Sequence, residues 1–127
     1  MTRYITLQDA LDIHDIQLAQ FGGAKGLRDP GQLESALFRP QTGYYADLIA
    51  EAAALWESLS QNHPFIDGNK RTAFASMHVF LIINGYRLDA DHEAVIGFVM
   101  SLYNSHSFQF EALEPWLRKY ARPNLHV

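Results

Sequence analysis

Apolar residues recur at alternating steps of four and three, and this periodicity constrains the fold more than any other feature of the sequence. Side chains with that spacing lie on one face of a helix, which must then pack against a neighbouring element. The first such face consists of Leu7, Leu11, His14, Leu18 and Phe21. The pattern returns along the chain to about residue 120, with little sign of strand alternation. The sequence therefore predicts an all-α fold of about six helices.

Capping and helix-breaking residues mark where these helices begin and end. Thr6 followed by Asp9 is typical of a capping box, although Asp replaces the usual Glu or Gln, and a glycine pair ends the helix that follows. The predicted helices cover residues 7–21, 30–38, about 47–62, about 69–84, about 91–103 and a last segment that contains Leu113, Trp116, Leu117 and Tyr120. Residues 39–46 are predicted as a loop or short flap, and residues 86–88 as a single extended segment. Pro115 is expected in the first turn of the last helix, where a missing N–H costs little.

Length, charge and composition limit the class of protein. A chain of 127 residues predicts one domain, spanning residues 1–127. The formal net charge of −4 offers no general attraction to nucleic acid or to an anionic membrane, so neither is expected as a direct partner. The absence of cysteine excludes disulfides and a thiol nucleophile. The amphipathic N-terminus lacks the apolar region of a signal peptide, which favours a cytoplasmic protein.

The stretch HPFIDGNKRT, residues 63–72, concentrates the chemically active side chains. Phe65 is its strongly apolar ring and is expected to anchor the turn in the core. Lys70 and Arg71 stand at the start of a predicted helix, where cations are disfavoured because the N-terminus already carries partial positive charge. That arrangement is costly when empty and favourable when an anion is bound. The stretch therefore indicates a local phosphate site.

The other polar residues of the stretch fit the same chemistry. Gly68 allows close backbone approach, and Asp67 beside a bound phosphate is a plausible Mg²⁺ ligand. His63 is a candidate general base, since histidine is the side chain most often used for proton transfer near neutral pH. Each residue also has a simpler explanation, since a lone His at a helix end is usually structural, a Lys-Arg pair is usually solvated and Asp-Gly is a common turn. Their coincidence within ten residues favours phosphoryl or nucleotidyl transfer.

The whole stretch HPFIDGNKRTAF resembles the core motif of the Fic superfamily, usually HPFx[DE]GNGRxxR. It differs at Lys70, where the superfamily has glycine, and at Phe74, where it has a second arginine. Both differences match the death-on-curing (Doc) branch, whose motif is HxFx[DN][AG]NKR. The segments GGAKGLRDPGQLESALFRPQ and INGYRL extend the resemblance from about Thr6 to Leu117. It implies a compact single-domain Fic fold with the motif loop between two central helices.

The resemblance also implies an activity. Typical Fic enzymes move AMP from ATP to a hydroxyl group, whereas the Doc branch acts as a toxin that phosphorylates a threonine of elongation factor Tu and arrests translation. By this resemblance ATP is the co-substrate, His63 the base, Asp67 the Mg²⁺ ligand, and Lys70 and Arg71 the groups that stabilise the transferred phosphoryl group. Gly68 and Asn69 would line the phosphate cradle. Lys70 and Phe74 change the space and charge around the phosphates, which favours γ-phosphate transfer over the alternative, AMP transfer.

The resemblance implies a protein partner as well. Doc toxins are blocked by an antitoxin of the prevents-host-death (Phd) kind, whose C-terminal segment folds against the toxin. Leu37, Phe38 and Tyr44 are candidates for its groove, although all three suit a core equally well. No Glu is followed by Gly or Asn, so the internal inhibitory helix of many Fic proteins is not expected.

Two other functions fit parts of the sequence. The dipeptide His14-Asp15, with further histidines at 63 and 78, resembles the metal site of HD phosphohydrolases, but the order of the ligands differs. A hydrogen-bonded core histidine is the simpler interpretation of His14, and support of the active site is a second. The chain could also be an idle nucleotide-binding module, although His63 and Asp67 are both present.

Overall fold

A computed structural model describes residues 1–125, which form six α-helices, a 3₁₀ turn and a two-stranded sheet. The elements are α1 (Leu7–Phe21), α2 (Pro30–Phe38), the 3₁₀ turn (Arg39–Gln41), α3 (Leu48–Gln61), α4 (Asn69–Ile83), β1 (Tyr86–Leu88), α5 (His92–Asn104), α6 (Phe110–Tyr120) and β2 (Ala121–Pro123). The predicted all-α fold of about six helices is confirmed. Within this part of the chain, none of the helices combines the length and apolar character needed to cross a bilayer.

Local capping explains why most helices begin where the sequence predicts. The Thr6 hydroxyl accepts the backbone N–H of Asp9, and the Asp9 carboxylate accepts that of Thr6, which completes the capping box. Asp29, Asp47 and Asp91 each accept a backbone N–H three residues later. Because each cap lies within four residues of sequence, these helix starts could be predicted without tertiary information.

Helix α3 is the central element and positions the motif loop. It packs against α2, α4 and α6, and its run of small residues, Ala52, Ala53 and Ala54, lets the neighbouring helices approach closely. Trp56 is fully buried, and its ring contacts the rings of Phe74, Phe98, Phe108 and Trp116. The motif loop leaves the end of α3 and enters α4, so it is attached to the best-packed pair of helices in the molecule.

The prediction for Pro115 is wrong. Helix α6 begins at Phe110, so Pro115 lies inside the helix rather than in its first turn. The reason is a tertiary cap: the carboxylate of Glu57, on α3, accepts the N–H of Phe110 at 2.7 Å. The carbonyl that loses its intrahelical donor is that of Glu111, and Glu111 and Pro115 are both exposed, so water can hydrate it.

The short sheet was only half predicted. Residues 86–88 are extended as expected, but their partner β2 carries no recognisable strand pattern. The strands are antiparallel, with Arg87 opposite Arg122, and they tie the chain after α6 to the turn after α4. Residues 39–46, predicted as a loop or flap, begin with the 3₁₀ turn and continue without regular structure.

Candidate active site

The motif loop is anchored by a buried aromatic pair. Phe65 is 2% exposed, and its ring stacks on the imidazole of His14, with ring centroids 3.7 Å apart and planes 6° apart. The His14 Nε2 lies 2.8 Å from the carbonyl oxygen of Asp67, which can only accept, so Nε2 carries the proton. His14 therefore connects α1 to two points of the motif loop, the ring of Phe65 and the backbone of Asp67.

His14 and Asp15 do not form a shared metal site. His14 is buried and Asp15 is exposed on the same helix. Within residues 1–125, no group of three or more His, Cys, Asp or Glu side chains is placed to hold a metal ion. The contacts of His14 agree with the interpretation of a hydrogen-bonded core histidine that also supports the site. His78 is half-buried beside Phe74, and burial lowers its pKa.

Further hydrogen bonds to its backbone hold the motif loop in place. Asn69 bonds to both backbone groups of Phe65, accepting the N–H and donating to the carbonyl, each at 2.9 Å. The segment after α1 also pairs with the loop: the N–H of Ile66 donates to Gly26, and that of Arg28 donates to Pro64. These bonds leave the loop little freedom to change shape.

His63 has a strained backbone that a distant arginine stabilises. Its φ is +48°, which is uncommon for a residue with a side chain. The Arg28 guanidinium donates from Nε to the His63 carbonyl at 2.7 Å and from Nη2 to the Asn62 carbonyl at 3.0 Å. Arg28 thereby caps the C-terminus of α3 and fixes the backbone from which the exposed imidazole projects.

Asp67 is held as an oriented carboxylate. One oxygen accepts the N–H of Ala24 at 3.0 Å and the other accepts that of Gly68 at 2.8 Å. The hydrogen bond from Ala24 has the larger effect and that from Gly68 the next, and both lower the pKa of Asp67. The carboxyl group is therefore ionised at neutral pH. The neighbouring Gly23 has φ +126°, and a Cβ built there would lie 2.8 Å from the Asp67 Oδ2. Only glycine lets this turn lie so close to the carboxylate.

The start of α4 provides an anion-binding arrangement. Gly68 is in the left-handed region with φ +77°, and no side chain in the described part of the chain caps the helix. The first N–H groups of α4 thus face the loop without a side-chain acceptor, which favours an anion there. The cradle of Gly68, Asn69, Lys70 and Arg71 stays a prediction, and in it the Asn69 side chain is already bonded to the backbone of Phe65.

Both cations at the start of α4 already have partners. Arg71 donates to the Gly22 carbonyl at 3.0 Å, at the C-terminal end of α1, and its guanidinium lies against the ring of Phe21. The Lys70 ammonium lies 4.3 Å from the ring centroid of Tyr103, on α5. A helix C-terminus and an aromatic face both attract positive charge, so these contacts offset part of the cost expected from the sequence.

Two clefts meet at the motif. The first cleft, of about 400 Å³, brings the sequence-predicted polar residues together and is lined by His63, Ile66, Asp67, Gly68, Asn69, Lys70 and Arg71. The second cleft, of about 360 Å³, shares His63 and Lys70 and is otherwise lined by Ser60, Gln61, Leu102, Tyr103, His106 and Phe108. His63 and Lys70 therefore stand on the wall between the two clefts.

Comparison with known proteins agrees with this architecture. The model for the Fic/DOC family matches residues 4–81, a span that runs from before α1 through the motif and most of α4. The chain belongs to the Fic/DOC family. Within it, toxin Doc of Mycolicibacterium smegmatis (strain ATCC 700084 / mc(2)155) is 44% identical over 98 residues, which cover 73% of each chain. Protein kinase doc of Escherichia phage P1 is 32% identical over 90 residues, which cover 68% of this chain and 71% of that protein. The resemblance to the Doc branch is confirmed.

Sequence reasoning missed several residues that shape this Fic/DOC site. Arg28 and Tyr103 are separated from the motif by more than thirty residues, and neither carried a signal of its own. For Gly23, the sequence indicated only that it belongs to the glycine pair that ends the first helix. Of the residues suggested for a partner groove, Leu37 is buried in the core, whereas Phe38 and Tyr44 are exposed.

Proposed function

We propose that this protein is the toxin of a toxin–antitoxin pair and an Mg²⁺- and ATP-dependent phosphotransferase that phosphorylates a threonine of elongation factor Tu and so arrests translation. The observation that carries the proposal is the convergence of His63, Asp67 and the open start of α4 on one cleft. Two relatives, one named a toxin and the other a protein kinase, support the same activity.

The reaction assigns a role to each group. His63 takes the proton of the threonine hydroxyl, the hydroxyl oxygen forms a bond to the γ-phosphorus, and the bond from that phosphorus to the bridging oxygen breaks. ADP leaves with the electron pair. The N–H groups at the start of α4, with Lys70 and Arg71, stabilise the charge on the transferred phosphoryl group.

The carboxylate of Asp67 fits Mg²⁺. Each of its oxygens accepts one backbone N–H, which leaves further lone pairs for a cation, and the group is exposed at the cleft. Mg²⁺ is commonly held by one or two carboxylates together with water and substrate phosphates. A bound Mg²⁺ would neutralise phosphate charge there.

The position of Phe74 supports γ-phosphate transfer. Its ring packs edge-on against Trp56, with centroids 5.7 Å apart, so this site belongs to the apolar packing of α4 and offers phosphate no cation. The side chain of Lys70 extends towards Tyr103 and adds charge beside His63. AMP transfer, in which the α-phosphorus is attacked and pyrophosphate leaves, is the alternative for this family.

A prevents-host-death-like antitoxin is the proposed partner, with its C-terminal segment against the toxin. Exposed Phe38 and Tyr44 remain available to such a segment, whereas Leu37 is already in the core. An enzyme that acts on elongation factor Tu would work in the cytoplasm.

The test uses ATP labelled in two places. The protein, Mg²⁺ and elongation factor Tu are incubated with ATP labelled at the γ-phosphate and, separately, at the α-phosphate. We expect label from the γ-position only, and His63→Ala should lower its transfer by about 10²-fold or more. His92→Ala, a change at an exposed histidine on α5, is the matched control and should retain activity.

Each other result has a definite meaning. Label from the α-position would establish AMP transfer and overturn the interpretation of Lys70 and Phe74. Nucleotide binding with no label from either position would identify an idle binding module. Full transfer by His63→Ala, with circular dichroism showing an intact fold, would remove His63 from the role of base.

A further inference from the structure

The second cleft differs from the first in charge. Among its described lining residues, Lys70 is the one cation, and it is shared with the first cleft. The Ser60 and Tyr103 hydroxyls bond to each other, and Gln61 donates to the Phe108 carbonyl. Leu102 and Phe108 supply apolar surface. The triphosphate therefore suits the first cleft, which has Arg71 and the open start of α4, and the second suits an uncharged ligand.

The aromatic surface of the second cleft is already in use. The ring of Tyr103 stacks on that of Phe108, with centroids 4.4 Å apart and planes 3° apart, and the Lys70 ammonium covers it at 4.3 Å. A purine base would have to displace one of these contacts to stack on Tyr103. Neither Tyr103 nor Phe108 thus offers a free ring face that would favour the nucleoside.

The position of His63 links the second cleft to the reaction. A general base must lie within hydrogen-bond reach of the hydroxyl that it deprotonates. When a nucleotide fills the first cleft, the acceptor must reach His63 by another route, and the second cleft opens on that same side chain. Arg28 fixes the His63 backbone between the two clefts.

We infer that the second cleft binds the acceptor, as an uncharged stretch of polypeptide that presents a serine or threonine hydroxyl to His63 and an aliphatic neighbour to Leu102. The inference rests on the proposed function, since it needs transfer from a nucleotide to a hydroxyl. In the transfer, the hydroxyl proton goes to His63, the oxygen bonds to phosphorus, and the nucleotide leaving group departs with the electron pair. Four of the lining residues, Leu102, Tyr103, His106 and Phe108, lie beyond the segment that the family model matches.

The absence of cysteine allows a clean test. His106→Cys places a single thiol at an exposed lining position, and Asn104→Cys places one on the same turn outside the cleft. Each folded protein is treated with methyl methanethiosulfonate, which is small, or with N-phenylmaleimide, which fills space. Transfer from labelled ATP to elongation factor Tu and to the proteins of a bacterial extract is measured, together with the affinity for a non-hydrolysable ATP analogue.

The bulky adduct at position 106 should lower transfer to the acceptor by about tenfold or more while changing the affinity for the ATP analogue less than about twofold. The small adduct and both adducts at position 104 should have little effect. Loss of analogue affinity with the bulky adduct at position 106 would assign the second cleft to the nucleoside and overturn the inference. Unchanged transfer with that adduct would overturn it too.

Failure of the proposed function gives a different result. If the unmodified protein labels another protein but not elongation factor Tu, the proposed target is wrong. The role of the second cleft is then tested by measuring how the adducts at positions 106 and 104 change transfer to the protein that is labelled. If it labels nothing, the proposed function and the acceptor cleft fall together, which is distinct from an adduct that leaves a working enzyme unchanged.

Discussion

At the scale of residues, hydrogen-bond donors from outside the motif orient its polar side chains. Ala24 donates to the Asp67 carboxylate, Arg28 donates to the His63 carbonyl, and His14 donates to the Asp67 carbonyl. None of these three residues needs to touch a substrate to matter, because the base and the metal ligand proposed for His63 and Asp67 would work only in the right orientation. The motif therefore supplies the chemistry, and residues 14–28 supply its geometry.

Gly23 and Gly22 offer a matched pair for testing this orientation. Gly23→Ala places a Cβ against the Asp67 carboxylate, whereas Gly22→Ala, also at positive φ, meets no atom within 4 Å. Both variants carry backbone strain, but only Gly23→Ala should displace the carboxylate. We expect Gly23→Ala to raise the Mg²⁺ concentration needed for ATP-analogue binding by about tenfold, as measured by calorimetry. Coincident Mg²⁺ titrations for the two variants would contradict the positioning role of the turn.

At the scale of elements, α4 contains buried hydroxyl groups that destabilise it. The hydroxyls of Thr72 and Ser76 are buried and have no hydrogen-bond partner within residues 1–125. Both lie on the helix whose first turn forms the proposed phosphate cradle. An unpaired buried hydroxyl destabilises a folded protein because it loses its hydrogen bonds to water. Helix α4 is therefore less stable than its apolar face alone would make it.

Ser76→Ala should stabilise the protein, and Ser58→Ala is its matched control. Ser58 is also buried, but its hydroxyl donates to the Ala54 carbonyl at 2.7 Å and accepts from Arg39. Removing the unpaired hydroxyl should raise the free energy of unfolding by about 1 kcal/mol, and removing the paired one should lower it by about 1 kcal/mol. Urea denaturation monitored by circular dichroism measures both. A loss of stability in Ser76→Ala would show that its hydroxyl has a partner, such as water.

Helix α3 depends on the ionisation of its N-cap. Hydrogen bonds from Arg118, on α6, and then from the N–H of Ala50 lower the pKa of Asp47. A folded-state pKa below the unfolded value of about 3.9 means that the carboxylate stabilises the fold above that pH. This stabilisation disappears as the pH falls through the folded-state pKa.

Asp47→Asn should therefore be destabilising at neutral pH and nearly neutral in acid. The carboxylate is about half exposed, so we expect the free energy of unfolding at pH 7 to fall by roughly 0.5–1 kcal/mol. The difference in unfolding free energy between this variant and the wild type should shrink below about pH 4. Asp91→Asn is the control, since Asp91 caps α5 through Ala94 and makes no ion pair among the described residues. Equal losses for the two variants at pH 7 would mean that Arg118 contributes nothing.

At the scale of the whole molecule, packing is uneven. Helix α3 is buried on nearly every side, whereas α5 has no fully buried residue and exposes Ile96 and Met100. The C-terminal end of α5 nevertheless supplies Leu102 and Tyr103 to the second cleft. Few buried apolar contacts imply that a helix opens locally, without unfolding the rest. The wall of the second cleft is thus the least firmly held part of the site.

Hydrogen exchange should separate these two helices. We expect the amides of α5 to exchange at least about tenfold faster than those of α3, with little dependence on low concentrations of urea, because α5 opens locally. Exchange in α3 should require global unfolding and accelerate with urea. Mass spectrometry of peptides covering His92–Asn104 and Leu48–Gln61 measures both rates. Equal rates with equal urea dependence would show that α5 unfolds only with the core.

Local sequence patterns predicted the helices whose caps and apolar stripes lie within a few residues of one another, and they identified the motif from His63 to Arg71. Those features follow from local periodicity, capping chemistry and a contiguous motif. The folded chain was needed to show that Glu57 caps α6 ahead of Pro115, that β2 pairs with β1, that Arg28 holds His63 and that Tyr103 lies under Lys70. Each of these contacts joins residues far apart in the chain. Local periodicity does not indicate which distant residues will come into contact when the chain folds.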